Sequence, residues 1–452
     1  MKPFLALFLI LLAAGCSKQP DSQTAQPPKR LTEAEFFSRI YLPGYEEAGL
    51  KDPKWDRQAR AFLSTLANRS FGTNNNEEEL HRALKEVQSV DCQDPLVRYM
   101  ILRNTKDPHY AGVDGTNEWV QVAKDLDASL YHMYWKFFSF ARAAQALKSV
   151  SPKTNSPGVV YFRNEASFRL HDLVQDPTLP TEVMFDSVYP WLNKDLWGAP
   201  KLRAGTWERI EPALTNGWGD TAEFHLLRGA EYISSAWDAR GNDWANTVTD
   251  EGWKLMAERL KVAREWLERS WTMKPRLETA LEMQSVELGA KQGREEMERW
   301  YNNAMKLDPG NYDARMNKLT WLHPKWHGSV EDMRDFGIEC LSDTNKIVSL
   351  TLYHVHIELS KYQEQSKAGS AADYWKRPGV WTDVKRAFET FFAAHPDEIS
   401  WRHNYAWVAY KAEAWDDLRK QIPLLGEINY SYFGGKEAFE EMVRKAEEKG
   451  RL

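Results

Sequence analysis

The chain is predicted to be all-α, a solenoid of stacked helical hairpins. Three observations predict it. Almost every segment after residue 30 repeats its apolar residues at helical spacing, strand-like alternation is scarce, and part of the chain matches itself at a fixed interval of 34 residues.

In chain order, helical period runs through 54–69, 77–90, 128–149, 205–215, 250–272, 294–307, 345–363 and 398–420. The breaks carry turn residues: Gly72-Thr73-Asn74-Asn75, Asp107-Pro108, Asn155-Ser156-Pro157-Gly158 and Asp308-Pro309-Gly310. The best strand pattern is Gly158 to Phe162, and it is short. Tyr131, Tyr134, Trp135, Phe137, Phe138 and Phe140 surround one helix, which predicts burial on several sides.

The repeat is the most informative feature. A shift of 34 positions carries Ala263 onto Met297, Trp266 onto Trp300, Leu267 onto Tyr301 and Ser270 onto Ala304. The same shift carries Pro275 onto Pro309 and Ala280 onto Ala314. This is the period of the tetratricopeptide repeat. The small residue lets two helices approach, the large one fills the gap to the next unit, and proline stops the second helix. A looser copy places Phe388, Phe391 and Trp401 around Pro396. One hairpin cannot bury its apolar face alone, so units must stack.

The N-terminus reads as an export leader. Lys2 precedes the apolar run Phe4 to Leu12 and then Ala13-Ala14-Gly15-Cys16. That run is too short to span a bilayer. Residues 1–15 are therefore expected to be a signal peptide cleaved before Cys16, with lipid on Cys16 holding the chain to a membrane. Ala13 stands where such a motif usually has Leu. Ser17, rather than Asp, favours the outer membrane, facing the periplasm. Residues 16–30 are expected to be the lipidated Cys and a flexible tether, 31–200 a helical N-terminal region, 201–440 the hairpin array and 441–452 a C-terminal tail.

Composition narrows the function. The 452 residues carry a formal charge of −6, or −7 once the leader with Lys2 is removed, and show no basic footprint for nucleic acid. Cys92 and Cys340 are expected to be buried free thiols. There is no Cys/His cluster with zinc spacing, no nucleophile elbow, no phosphate loop and no His-Glu-x-x-His. Neither a metal nor a cofactor is expected. The pair His323 and His327 is split by Pro324, and His354 and His356 diverge on a helix.

Residues 229 to 248, Gly-Ala-Glu-Tyr-Ile-Ser-Ser-Ala-Trp-Asp-Ala-Arg-Gly-Asn-Asp-Trp-Ala-Asn-Thr-Val, form one distinctive segment. Residues 322 to 340, Leu-His-Pro-Lys-Trp-His-Gly-Ser-Val-Glu-Asp-Met-Arg-Asp-Phe-Gly-Ile-Glu-Cys, form another. Both, with Asp94 to Val97 and Val380-Trp381, resemble an uncharacterised bacterial family, domain of unknown function 4034. The resemblance implies a helical, tetratricopeptide-like fold over about 80 to 440 and no known activity.

Two stretches within these segments are candidate partner-binding loops. Trp237, Asp238, Arg240 and Trp244 supply indoles, an acid and a guanidinium that can stack on them, with Gly241 for a positive-φ turn. Lys325, Trp326 and His327 supply a cation and rings, followed by Ser329 as a helix cap with Asp332 behind it. Either set also reads as a connector clipped by Trp packing. The resulting expectation is a non-catalytic scaffold, tethered to a membrane, that binds a protein or peptide. The alternative is an envelope enzyme or glycan-binding protein acting on peptidoglycan.

Overall fold

The computed structural model describes residues 30–70, 76–105, 112–151, 156–192, 200–241, 247–290 and 293–449. The leader, Cys16, the tether to residue 29 and Trp244 lie outside the described residues. Helices fill what is described, with no strand among these residues, and neighbouring helices pack in pairs as an all-α helical-hairpin solenoid.

Two local expectations are corrected. Gly158 to Phe162 is not a strand but the first turns of helix Pro157–Leu173. Pro157 suits a first helical position, and Val159, Phe162, Ala166 and Leu170 then fall on one buried face. The span 128–149 is not continuous either. Helix Gly112–Ala128 ends, and helix Met133–Val150 begins after a turn that His132 caps, its Nδ1 accepting from the Tyr134 N–H at 3.1 Å. The aromatics of this second helix are core: Trp135, Phe137 and Phe140 are buried, and Tyr134 and Phe138 pack beside them.

The 34-residue repeat is visible in three dimensions. Ala263, Leu267, Ser270, Met297 and Ala304 are fully buried on the second helices of their hairpins, Asp250–Met273 and Arg294–Leu307. Both helices end alike. Lys274 N–H donates to Ser270 O and Asp308 N–H to Ala304 O, each at 2.9 Å, and proline follows in both. His395 N–H repeats the bond to Phe391 O at 3.0 Å before Pro396, so the looser third copy keeps the same stop. Ala280 and Ala314 are buried in the next first helices, Leu277–Ala290 and Tyr312–Trp321. First helices 181–192, 222–240, 277–290, 312–321 and 351–365 pack each on the next, forming one row.

The cores ignore the expected boundary at residue 200. One cluster runs from Phe36 to Ala314, a second from Met297 to Val408, and a third from Ala406 to Ala446. The expected tail is corrected as well. Lys436–Lys449 is a helix whose Met442 and Ala446 are buried in the third cluster, because Phe439, Met442 and Ala446 recur at helical spacing.

Cys92 and Cys340 are buried and unbridged, in the first and second clusters respectively. Burial pushes the Cys92 thiol up to about 12 and the Cys340 thiol up to about 11. The thiolate is the reactive form, so neither thiol should react with maleimide at pH 8 until the chain is unfolded. Mass spectrometry of the Cys92 and Cys340 peptides checks this. Equal labelling of native and denatured chain would contradict the burial.

Candidate functional site

The structure brings the two candidate loops together. Trp237 and Arg240 are not in a loop, as expected from sequence, but in the last turn of helix Ala222–Arg240. Gly241 stops that helix at φ 78°, a conformation that glycine adopts without steric cost, and its N–H donates to Trp237 O at 3.0 Å. From 89 positions further along the chain, Trp326 meets Trp237 edge to face, with ring centroids 5.7 Å apart.

Arg240 sits among three indoles. Its guanidinium carbon is 5.9 Å from the Trp237 ring, 5.5 Å from Trp326 and 5.3 Å from Trp253. A cation over indole faces is attracted by the ring quadrupole. Trp253, on helix 250–273, carried no motif and was not anticipated. Asp238 pairs with Arg203 of helix 200–218, whose side chain is buried. His327 is held by Leu288 O at 2.8 Å from its Nε2 and lies on Trp321. Lys325 alone of this group is exposed, on a turn in which its N–H donates to His323 Nδ1 at 3.0 Å. Ser329 caps helix Val330–Cys340 through Asp332, as its spacing predicts. Trp237, Arg240 and Trp326 thus form an internal clasp between hairpins that leaves Lys325 at its edge. A second clasp surrounds Arg228 with Trp207, Tyr232 and Trp266, all within 6 Å, while Glu211 pairs with its charge.

Beside the first clasp lies a cleft of about 600 Å³ walled by Trp253, Met256, Leu260, Arg264 and Gly289. Arg264 is anchored from beneath by Glu287, whose side chain is fully buried, at 2.5 Å. Burial raises the Glu287 carboxyl above the usual range, and Arg264 opposes that rise.

The row of first helices carries a different chemistry. Tyr189 on helix Thr181–Leu192 donates to Glu282 Oε1 at 2.8 Å, passing across the intervening helix 222–240. A bond between alternate helices of the row requires the row to curve toward that side. Asp186 lies one turn before Tyr189, Glu278 one turn before Glu282, and Asp313 opens the next first helix. Further along, Tyr312 meets His354 at 5.2 Å between ring centroids, and His354 meets Trp401 at 5.9 Å. Sequence reasoning missed this row because its members lie a hairpin or more apart and match no motif.

Among the described residues, no three His, Cys, Asp or Glu side chains converge to hold a metal ion. Burial raises the carboxyl groups of Asp94, Asp186, Glu231, Glu282 and Glu287. Asp94 is structural, its oxygens accepting from the N–H groups of Leu50, Leu96 and Val97 and from the Tyr131 hydroxyl. Comparison with family models, curated proteins and solved structures finds no match to this chain.

Proposed function

We propose that the chain is a membrane-anchored periplasmic lipoprotein whose hairpin array binds a partner protein or peptide and catalyses nothing. The observation that carries the binding part is the row of first helices. Their apolar sides are spent on stacking, and their free sides line up Tyr, Asp, Glu and Asn from successive hairpins, a surface suited to an extended partner. The leader pattern before Cys16 supports the anchor. Ser17 after it supports the outer membrane. No helix among the described residues is long and apolar enough to cross a membrane. Tetratricopeptide-like spacing and the two distinctive segments support membership of the domain of unknown function 4034 family.

The candidate loops enter this reading in a reduced role. Trp237, Asp238, Arg240, Trp326 and His327 serve chiefly to lock hairpins in register, with the exposed Lys325 at the edge as the partner contact of this group.

The test places a photo-crosslinking residue at Asn317 on the row, at Lys325 beside the clasp, or at Glu258 and Glu295 on second helices, in native membranes. Adducts to one protein from Asn317 and not from Glu258 or Glu295 are expected. Equal adducts from all four positions, or none at Asn317, would overturn the binding reading. Separately, the mature chain should carry acyl mass that Cys16→Ser removes.

A further inference from the structure

We infer that one edge of the array, formed by the turns 49–55, 89–94, 129–132, 174–180, 219–221 and 274–276, rests on a lipid surface. Leu50, Leu130 and Met273 enter its headgroup region. This rests on the anchored reading above and goes beyond it, since a tethered chain need not touch the bilayer.

Hydrogen bonds join most of these turns into a continuous edge. The Leu50 N–H and the Tyr131 hydroxyl both donate to Asp94, at 3.0 and 2.9 Å. His132 Nε2 lies 3.1 Å from Asp176 Oδ2. The Leu31 N–H donates to Thr178 O at 3.2 Å. Arg30 then bridges two turns. Its guanidinium donates to Leu179 O at 3.1 Å and to Gly217 O at 2.5 Å, and lies 3.7 Å from the centre of the Trp218 ring. Lys274 reaches Glu223, in the first turn of the helix that Thr221 caps, at 2.9 Å.

Two independent observations point from this edge to a membrane. The first is its apolar tips. Leu130, Leu50 and Met273 are 88%, 59% and 51% exposed, the three most exposed large apolar side chains among the described residues. A single exposed leucine is ordinary, but these three share one edge and stand outside every core cluster. The second is the point where the anchor enters. Arg30 fixes the start of the described chain on the same edge, between the turns that carry Leu130 and Met273. Residues 16–29 separate it from the lipid site at Cys16, and fully extended they span at most about 50 Å. A tether of that reach keeps the lipid surface at high effective concentration, so a few apolar side chains are enough to hold the edge down. The edge carries both signs of charge, with Lys51 and Lys54 against Asp91 and Asp220, all exposed. Apolar burial and not charge is therefore the driving force.

The test uses the full acylated chain in vesicles of phosphatidylethanolamine and phosphatidylglycerol. An environment-sensitive dye is placed through Leu130→Cys, Leu50→Cys or Glu78→Cys. The native thiols Cys92 and Cys340 are buried and do not compete for it. Glu78 is exposed and lies at the opposite end of helix Glu77–Gln88 from turn 89–94. Dye at positions 130 and 50 should be quenched by doxyl-labelled lipid about threefold more than dye at 78. That quenching should persist in about 0.5 M salt, where surface charge is screened. Leu130→Asp with Met273→Asp should lower the quenching at position 50 by about twofold or more. Circular dichroism and the urea midpoint establish that each variant is folded. Quenching at 130 and 50 no stronger than at 78, or lost in salt, or unmoved by the aspartates, overturns the inference. If the acylated chain floats with the vesicles and gives such a result, the anchored reading stands and only this inference falls. A chain that carries no acyl mass and does not float removes both.

Discussion

Replacing Gly229 with valine is expected to destabilise the chain by about 3 kcal/mol or more, read as a lower urea midpoint with an unchanged slope. Gly229 lies in helix 222–240 where it crosses helix 250–273, and the two pack more extensively than any other pair. A Cβ built on Gly229 falls 2.5 Å from Leu267 Cγ, 2.7 Å from its Cδ2 and 3.3 Å from the Ala263 carbonyl oxygen. Leu267 is fully buried and has nowhere to swing, and the carbonyl belongs to the facing backbone. The helices would have to part, and the repeat contact at Ala263, Leu267 and Ser270 would part with them. Gly229→Ala should show the same effect in milder form. Valine tolerated at no cost would mean that the crossing is looser than described.

Arg264→Met should cost about 3 kcal/mol at pH 7, because it strands Glu287 as a buried carboxylate without its cation. Glu287 Oε1 takes the Arg264 guanidinium at 2.5 Å, and Glu287 Oε2 has no hydrogen-bond partner among the described residues. The direction with pH follows from the raised carboxyl. In the folded chain Glu287 keeps its proton to a higher pH than in the unfolded chain, so folding takes up a proton in that window and stability falls as pH rises through it. Loss of Arg264 removes the group that does most to hold the carboxyl down, ahead of Arg299, which widens the window. The deficit of Arg264→Met should therefore shrink as pH is lowered toward the ordinary carboxylate range. Adding Glu287→Gln should restore much of the stability and flatten the pH dependence. A deficit that is the same at pH 5 and pH 7 would show that Arg264 acts by packing and not by charge.

Both predictions concern a junction that was half legible from sequence. Ala263, Leu267, Ser270 and Pro275 were recognisable because they recur at 297, 301, 304 and 309, and local spacing is a property of the chain alone. Their partners Gly229, Glu287 and Trp253 belong to neighbouring helices and follow no period. The candidate residues divide the same way. Ser329 and Asp332 cap a helix as their spacing says, since a cap is made within a few residues. Sequence places Trp237 and Arg240 in a loop because Gly241 and the polar residues after it look like one. They are helix, and two of the three indoles around Arg240, Trp253 and Trp326, come from outside that helix and pack against its last turn.

By itself the sequence determined that this protein is helical, that two of its hairpins match at a shift of 34 residues, and where their second helices stop. These follow from hydrogen bonds and side-chain periods that reach no further than a turn or two. Only the tertiary structure decided that Arg240 is caged by Trp237, Trp253 and Trp326, that Lys436–Lys449 packs into the third cluster, and that Tyr189 reaches Glu282 from another helix of the row. Such proximities arise when hairpins stack, and stacking is set by the fit of whole helix faces, which the linear order of residues does not display.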